Sequence, residues 1–179
     1  HLLAAAAQTA VSVAQAHPHV WIVSRSEVLY APDGTVTGVR HAWRFDDAFS
    51  AYAVQGLTSK EKGVYSPEDL APLAQTNVES LKEFAYFTFA KVEGKKQKFL
   101  EPIDYHLEYK DAALTLFFTL PLKTPIKTQE LSLEVYDPSY FIEFTFEDKD
   151  PVKLVGAPGN CRLAFQRPSD GSANAAKLG

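Results

Sequence analysis

Residues 20–45, VWIVSRSEVLY-APDGT-VTGVRHAWRF, decide the fold class of this chain. Both ends of the stretch are rich in β-branched and aromatic residues, which favour strands. Pro32-Asp33-Gly34 between them has the composition of a tight turn. The stretch therefore predicts a β-hairpin formed by residues 20–30 and 36–45.

The position of that turn also predicts which residues face each other. Partner numbers across the hairpin should sum to about 66, give or take one or two. On this register Trp21 faces Phe45, and His19 faces Asp47 just beyond the paired region. The second pairing matters for function, because it brings a histidine and a carboxylate together.

One downstream segment has the spacing of an amphipathic helix. Ser66 suits the N-cap and Pro67 the first helical position, and the apolar residues that follow recur on one face until about Phe84. The remainder predicts a β meander over residues 84–92, 96–100, 103–110, 113–120, 130–136 and 140–146. We therefore expect a mainly β (α+β) fold, an antiparallel β-sandwich with one packed amphipathic helix.

Composition narrows the function classes. The chain has 179 residues, a formal net charge of -4 and one cysteine. It has no basic stripe interleaved with aromatics, which argues against a nucleic-acid surface. No nucleophile elbow, phosphate-binding glycine loop or His-Glu-x-x-His helix is present, so we do not expect an enzyme.

The N-terminal residues are typical of an exported precursor. Residues 2–16 are apolar and small and end in Ala14-Gln15-Ala16, an Ala-x-Ala cleavage pattern. We expect a signal-peptide remnant over residues 1–16, a single β-rich domain over 17–167 and a disordered tail over 168–179. The expected location is the periplasm, without direct membrane insertion after cleavage.

Cleavage after Ala16 would make His17 the first residue of the mature protein. Its amine and imidazole, with the imidazole of His19 two residues later, form a donor set for zinc, nickel, cobalt or copper. Pro18 has no N–H to lose, which excludes the square-planar motif that needs a deprotonated second amide. A copper brace built on the His17 amine stays open, as does a polar strand start without metal.

Aspartates supply the expected remaining ligands. The hairpin register brings Asp46 or Asp47 within reach of the histidine face. Asp137 precedes Pro138, which holds it in an extended conformation at a turn between two strands. Asp137 is therefore a candidate ligand or a support for a ligand histidine, although an Asx turn that caps its own backbone explains the same pattern.

Three other residues have a simpler expected role. Cys161 is interpreted as a small buried core residue rather than a soft ligand. His41 shares the alternation of Trp43 and Phe45, which favours a partly buried histidine with its hydrogen bonds satisfied. His106 lies in an Asp-x-His-x-Glu pattern that fits either a surface metal site or a solvated strand face.

Three motifs carry a resemblance to a known family. HPHVWI at residues 17–22, W-x-FDD-x-FS at 43–50 and YDPSYF at 136–141 resemble a bacterial periplasmic family. Its members are described as the periplasmic component of an ABC-type transport system, and often occur beside or fused to nickel/cobalt-efflux-type permeases. Cys161 near the end also fits this family.

The resemblance implies a role in transition-metal handling. It implies a membrane metal permease or ABC-type transporter as partner, a divalent metal (zinc, nickel or cobalt, less so copper) as cofactor, and Asp137 in the same site as His17 and His19. The chain is too small for a two-lobed clamp, so we expect a chaperone, sensor or permease partner. The alternative is a β-sandwich interaction module of a transport complex without metal.

Overall fold

The predicted hairpin is present near the centre of a six-stranded sheet. The computed structural model describes residues 18–167. Strand β1 (Val20–Tyr30) and strand β2 (Val36–Phe45) pair antiparallel across the turn. The predicted leader, His17 and the predicted tail lie outside the described residues.

The other elements follow the expected order, with two additions. Helix α1 and strand β9 have no counterpart in the sequence prediction. No helix within residues 18–167 has both the length and the apolar character needed to cross a membrane. The further elements are α1 (Asp47–Ala53), α2 (Pro67–Leu81), β3 (Thr88–Val92), β4 (Lys95–Gln97), β5 (Ile103–Lys110), β6 (Ala113–Ile126), β7 (Leu131–Val135), β8 (Ile142–Phe146) and β9 (Val152–Val155).

The strands form two sheets, as the sequence predicts. The large sheet has the order β5-β6-β2-β1-β8, with β9 also paired to β1, and the small sheet has the order β4-β3-β7. Pairing is antiparallel except where β8 and then β9 run parallel to β1. The chain reaches β8 from the small sheet, and such a crossover permits a parallel pairing that a tight turn does not.

The hairpin register differs by one residue from the central prediction. Ile22 pairs with Phe45, so the numbers sum to 67, and Trp21 lies beside Asp46 instead of Phe45. A one-residue shift moves a side chain to the other face. Trp21 is accordingly 46% exposed, whereas Phe45 is buried. The prediction that His19 faces Asp47 was wrong, because β2 ends at Phe45 and Asp47 already belongs to α1.

Helix α2 begins as its sequence predicts. The Ser66 hydroxyl accepts a hydrogen bond from Asp69 N, and the Asp69 carboxylate accepts one from Ser66 N, a reciprocal capping box. The α-helix ends at Leu81, three residues before the predicted Phe84. Its buried stripe packs on the large sheet and shares a core with strand side chains; the stripe is Leu70, Ala74 and Val78.

A left-handed turn joins α2 to β3. Ala85, Tyr86 and Phe87 have positive φ of 51°, 55° and 48°. Each such residue is costly for an L-amino acid, by roughly 1–2 kcal/mol. Tyr86 and Phe87 are buried, whereas Ala85 is exposed. Burial of the two aromatic side chains therefore offsets the strain of the turn.

His41 links the two sheets in the interior. It is 1% exposed, so it is more deeply buried than the sequence indicates. Its Nδ1 lies 2.7 Å from Ser26 Oγ, and its Nε2 lies 3.0 Å from Thr88 Oγ1. The Thr88 hydroxyl donates to the Tyr86 carbonyl, so it accepts from His41, which assigns the proton to Nε2. Burial lowers the pKa of His41 to about 3.

Candidate functional site

The three sequence motifs meet at one end of the large sheet, where β1 begins. They are residues 43–50, residues 136–141 and the described part, 18–22, of the first motif. On one side His19 N donates to the carbonyl of Phe141 at 2.8 Å. On the other side Trp21 N donates to Asp46 Oδ2 at 2.9 Å. The first residues of β1 are therefore held between the turn that contains Asp137 and the cap of α1. Segments far apart in sequence form one continuous surface here.

Asp46 joins β1 to the first helix. Its Oδ1 accepts a hydrogen bond from Phe49 N at 2.8 Å, which makes Asp46 the N-cap of α1. Its Oδ2 accepts from Trp21 N, and its own N–H donates to the Trp21 carbonyl. One carboxylate therefore satisfies donors on two elements. The sequence signal for this helix was the pair Asp46-Asp47, an N-cap followed by an acidic first-turn residue.

Asp137 also accepts hydrogen bonds from backbone N–H groups, on the side of β1 opposite to Asp46. It is 6% exposed. Its Oδ1 accepts from Ser139 N at 2.8 Å and from Ser139 Oγ at 2.7 Å, and its Oδ2 accepts from Ile142 N at 3.0 Å. Asp137 thus forms the Asx turn that the sequence left open, and it makes one further contact. The carboxylate also reaches the first residue of β8, which pairs with Val20 at the start of β1.

His19 and Asp47 are the exposed polar candidates at this end. The His19 imidazole packs on the ring of Phe141, with centroids 5.0 Å apart. Asp47 is the first residue of α1, and its carboxylate faces solvent. Within residues 18–167 we find no hydrogen bond from either side chain. Both groups are therefore available to a ligand.

The described residues do not complete a metal site by themselves. Within residues 18–167 no group of three or more His, Cys, Asp or Glu side chains is placed to hold a metal ion. His19, Asp46, Asp47 and Asp137 are thus gathered at one end without forming a ligand cluster. His17 lies outside the described residues.

Exposed aromatic side chains surround the same end. Trp21, Tyr136, Tyr140 and Phe141, which we term the aromatic rim, are 46%, 44%, 59% and 52% exposed. The Trp21 indole donates to Glu143 Oε2 at 2.9 Å. The Tyr136 ring packs on Phe89, with centroids 4.7 Å apart. Exposed apolar groups in such a concentration are typical of an interaction surface.

The remaining sequence candidates lie elsewhere. His106 stacks on Phe117 with centroids 4.7 Å apart, and its Nε2 lies 3.4 Å from Glu108 Oε1. Asp104 has a φ of 51° beside a register shift, which breaks the expected alternation with His106. Cys161 is exposed, so the prediction of a buried core residue was wrong. It lies on the chain after β9, where strand alternation no longer governs burial.

Comparison with known proteins adds the family. A model described as "Protein of unknown function (DUF1007)" matches residues 2–178. The chain belongs to the DUF1007 family. An uncharacterized protein of Haemophilus influenzae is 27% identical to it over 161 residues, which cover 86% of this chain and 74% of the relative. An uncharacterized 15.5 kDa protein in the trpE 3' region of Spirochaeta aurantia is 28% identical over 103 residues, 54% of this chain and 70% of that protein.

The family match spans the N-terminal histidines, both aspartate motifs and Cys161, so it covers every candidate residue discussed above. The DUF1007 description carries no activity. A function for this chain must therefore be argued from its own residues.

Proposed function

We propose that this DUF1007 protein is a periplasmic protein that binds a divalent transition metal, zinc, nickel or cobalt, where β1 begins. The donors are the amine and imidazole of His17, the imidazole of His19 and the carboxylate of Asp47. The observation that carries the proposal is the meeting of the sequence motifs around the first residues of β1. It leaves one imidazole and one carboxylate exposed beside the N-terminal histidine segment.

The other two aspartates have a positioning role in this proposal. Asp46 and Asp137 use both carboxylate oxygens to hold backbone N–H groups on either side of β1. Ligands are oriented best by groups that are themselves hydrogen-bonded into the structure. The two aspartates thus fix the start of the strand that directly follows His19, and they contribute to metal affinity indirectly.

The proposed cellular role is to assist a membrane metal transporter as a chaperone, sensor or partner. The resemblance of the motifs to periplasmic transport components supports this role. A mixed nitrogen and oxygen donor set at an exposed strand end suits a metal that is taken up and released. A closed structural zinc site, in contrast, is built from Cys and His side chains, and the proposed donor set contains no thiolate.

Elemental analysis after competitive dialysis tests the metal proposal directly. Protein that begins at His17 is stripped of metal and dialysed against equal low concentrations of zinc, nickel, cobalt and copper. We expect one equivalent of zinc, nickel or cobalt to be retained. The double variant His17→Ala, His19→Ala should retain none, while His106→Ala, which removes an exposed histidine elsewhere, should retain the full equivalent.

Two results would contradict this proposal. Equal metal content in the double variant and the unsubstituted protein would move the site away from the N-terminus. Preferential retention of copper over zinc, nickel and cobalt would instead favour the copper brace built on the amine of His17.

The aromatic rim favours a second candidate, an interaction module of a transport complex that needs no metal. Its test is the affinity of metal-free protein for a purified nickel/cobalt-efflux-type permease, measured by surface plasmon resonance. The interaction module would be favoured if the double variant His17→Ala, His19→Ala still binds the permease and the double variant Tyr140→Ser, Phe141→Ser does not. Binding that requires the metal would favour the first proposal.

A further inference from the structure

A groove opens between the two sheets at the other end of β1. Its volume is about 600 Å³. Val28 and Leu154 of the large sheet form one wall, and Leu131 and Leu133 of the small sheet form the other. Clefts of roughly 300–1,000 Å³ with apolar walls and a few polar groups are typical small-molecule sites. Strand β1 has 11 residues, so the groove lies roughly 35 Å from His19.

The chain after β9 covers this groove and is held at both ends of its course. Gly156, with a φ of 75°, packs so closely on Tyr30 that a Cβ there would lie 3.1 Å from the Tyr30 carbonyl oxygen. The Arg167 guanidinium donates to the carbonyls of Phe146, Glu147 and Asp148 at 2.9–3.1 Å. Residues 160–164 therefore line the groove as an anchored segment instead of a free end.

The rim of the groove carries two cations, Lys127 and Arg162. Within residues 18–167 neither forms an ion pair with a carboxylate. Glu130 is the one carboxylate among the described lining residues. The Tyr30 hydroxyl also reaches the rim beside Cys161; burial, and then this neighbour, raises the pKa of Tyr30. Hydrogen bonds from Thr35, and then the charge of Lys127, lower the pKa of Asp33 beside the lining residue Gly34, so Lys127 has one carboxylate nearby. Among the lining residues themselves, two cations stand against one carboxylate.

We propose that this groove binds a small amphipathic anion. The acidic head, a carboxylate or a phosphate, lies between Lys127 and Arg162 and accepts a hydrogen bond from Tyr30. The apolar body lies between the leucines of the two sheets. A cationic ligand would leave both rim cations opposed by like charge, and a wholly polar ligand would leave the apolar walls unfilled.

Isothermal titration calorimetry with four matched twelve-carbon probes tests the ligand class on the full chain. Dodecanoate and dodecyl phosphate should each bind with one-to-one stoichiometry, and the tighter of the two identifies the head group. Dodecanol and dodecyltrimethylammonium should bind at least about tenfold more weakly. Equal affinity for all four probes, or no saturable binding of either anion, would overturn the proposal.

Substitutions on the rim test the location. Lys127→Gln with Arg162→Gln should weaken the tighter anion about tenfold, whereas Glu130→Gln should strengthen it about twofold. The matched control is Arg25→Gln with Lys153→Gln, which removes the same charge from the open face of the large sheet and should leave affinity unchanged. Ala164→Trp fills the groove from its exposed side and should abolish binding. Unchanged affinity in both rim and filling variants would place the ligand elsewhere.

Discussion

At the start of β1, Asp46 and Asp137 accept hydrogen bonds from backbone N–H groups. At the other end of the strand, Lys127 and Arg162 lie on the rim of the apolar groove. The first region has its polar groups satisfied internally, and it exposes one imidazole and one carboxylate. In the second region, Lys127 and Arg162 form no ion pair within residues 18–167, and they lie above apolar walls. The two proposals accordingly assign opposite kinds of ligand to them, a cation to the first and an anion to the second.

A carboxylate that lies near a candidate site need not belong to its ligand set. Asp46, Asp47 and Asp137 are similar in sequence terms, since each lies beside a strand end in a motif with aromatics. The three aspartates differ in the hydrogen bonds that their carboxylates accept. Asp46 and Asp137 each bridge two segments of backbone, and Asp47 bridges none. Substitutions at these positions should therefore have different effects on stability and on metal binding.

The largest expected effect is on the Asp137 turn. Asp137→Ala removes the acceptor of three hydrogen bonds, two of them from backbone N–H groups, and should lower the free energy of unfolding by about 3 kcal/mol. Urea denaturation at pH 7 measures the change. Asp148→Ala, at an exposed aspartate, is the control and should change stability by less than about 0.5 kcal/mol. Similar losses in the two variants would contradict the role given to Asp137.

Substitution of Asp46 should mainly lower stability, whereas substitution of Asp47 should mainly lower metal affinity. Asp46→Ala removes the N-cap of α1 and the acceptor for Trp21 N, so it should cost about 2 kcal/mol of stability. Asp47→Ala should cost about 0.5 kcal/mol but lower metal affinity about tenfold. Urea denaturation and metal titration of both variants provide the measurements. Equal metal affinities in Asp47→Ala and unsubstituted protein would remove Asp47 from the ligand set.

The buried histidine between the two ends predicts a loss of stability in acid. The pKa of His41 falls from its usual 6.5 to about 3 in the folded state because of burial, so the unfolded chain binds the proton first. Its contribution is complete above pH 6.5 and is lost as the pH falls towards 3. Stability should decline by up to about 1.4 kcal/mol per pH unit, hence by about 2 kcal/mol at pH 5.

Denaturation curves between pH 7 and pH 5 test this dependence, because most carboxylates stay ionised in that range. His106→Gln, at an exposed histidine, should keep the decline, while His41→Gln should flatten it. A flat profile in the unsubstituted protein would show that His41 is not held neutral by the fold.

The smallest expected effect concerns the left-handed turn that leads into β3. Ala85→Gly should raise stability by about 1 kcal/mol, because glycine adopts a positive φ without strain and the exposed Ala85 side chain loses no packing. Thermal denaturation measures the gain. Ala48→Gly, at an exposed position inside α1, is the opposite control and should lower stability by a similar amount. A loss in both variants would argue that the turn is not strained.

Local patterns predicted much of this molecule because their causes are local. The turn at Pro32-Asp33-Gly34 places the hairpin, and Ser66 with Pro67 starts α2, since turn and capping chemistry involve only neighbouring residues. Strand β5 was predicted with its observed bounds from local composition and spacing. A metal site shared by His19, Asp46 and Asp137 stays a prediction, and the structure shows only that their motifs meet where β1 begins.

Only the tertiary structure decided the features that depend on distant partners. The sequence predicted the hairpin register only to within one or two residues. The contact that accompanies the observed register, from Trp21 N to Asp46, joins β1 to the cap of α1, and no pattern within the strands encodes it. The parallel pairing of β8 and β9 with β1 depends on the path of the chain through the small sheet. The groove exists because the segment after β9 is anchored by Arg167 to carbonyls of residues 146–148. The sequence by itself determined most of the elements, though not α1 or β9, and the chemistry available. Packing between distant segments decided which groups stay exposed.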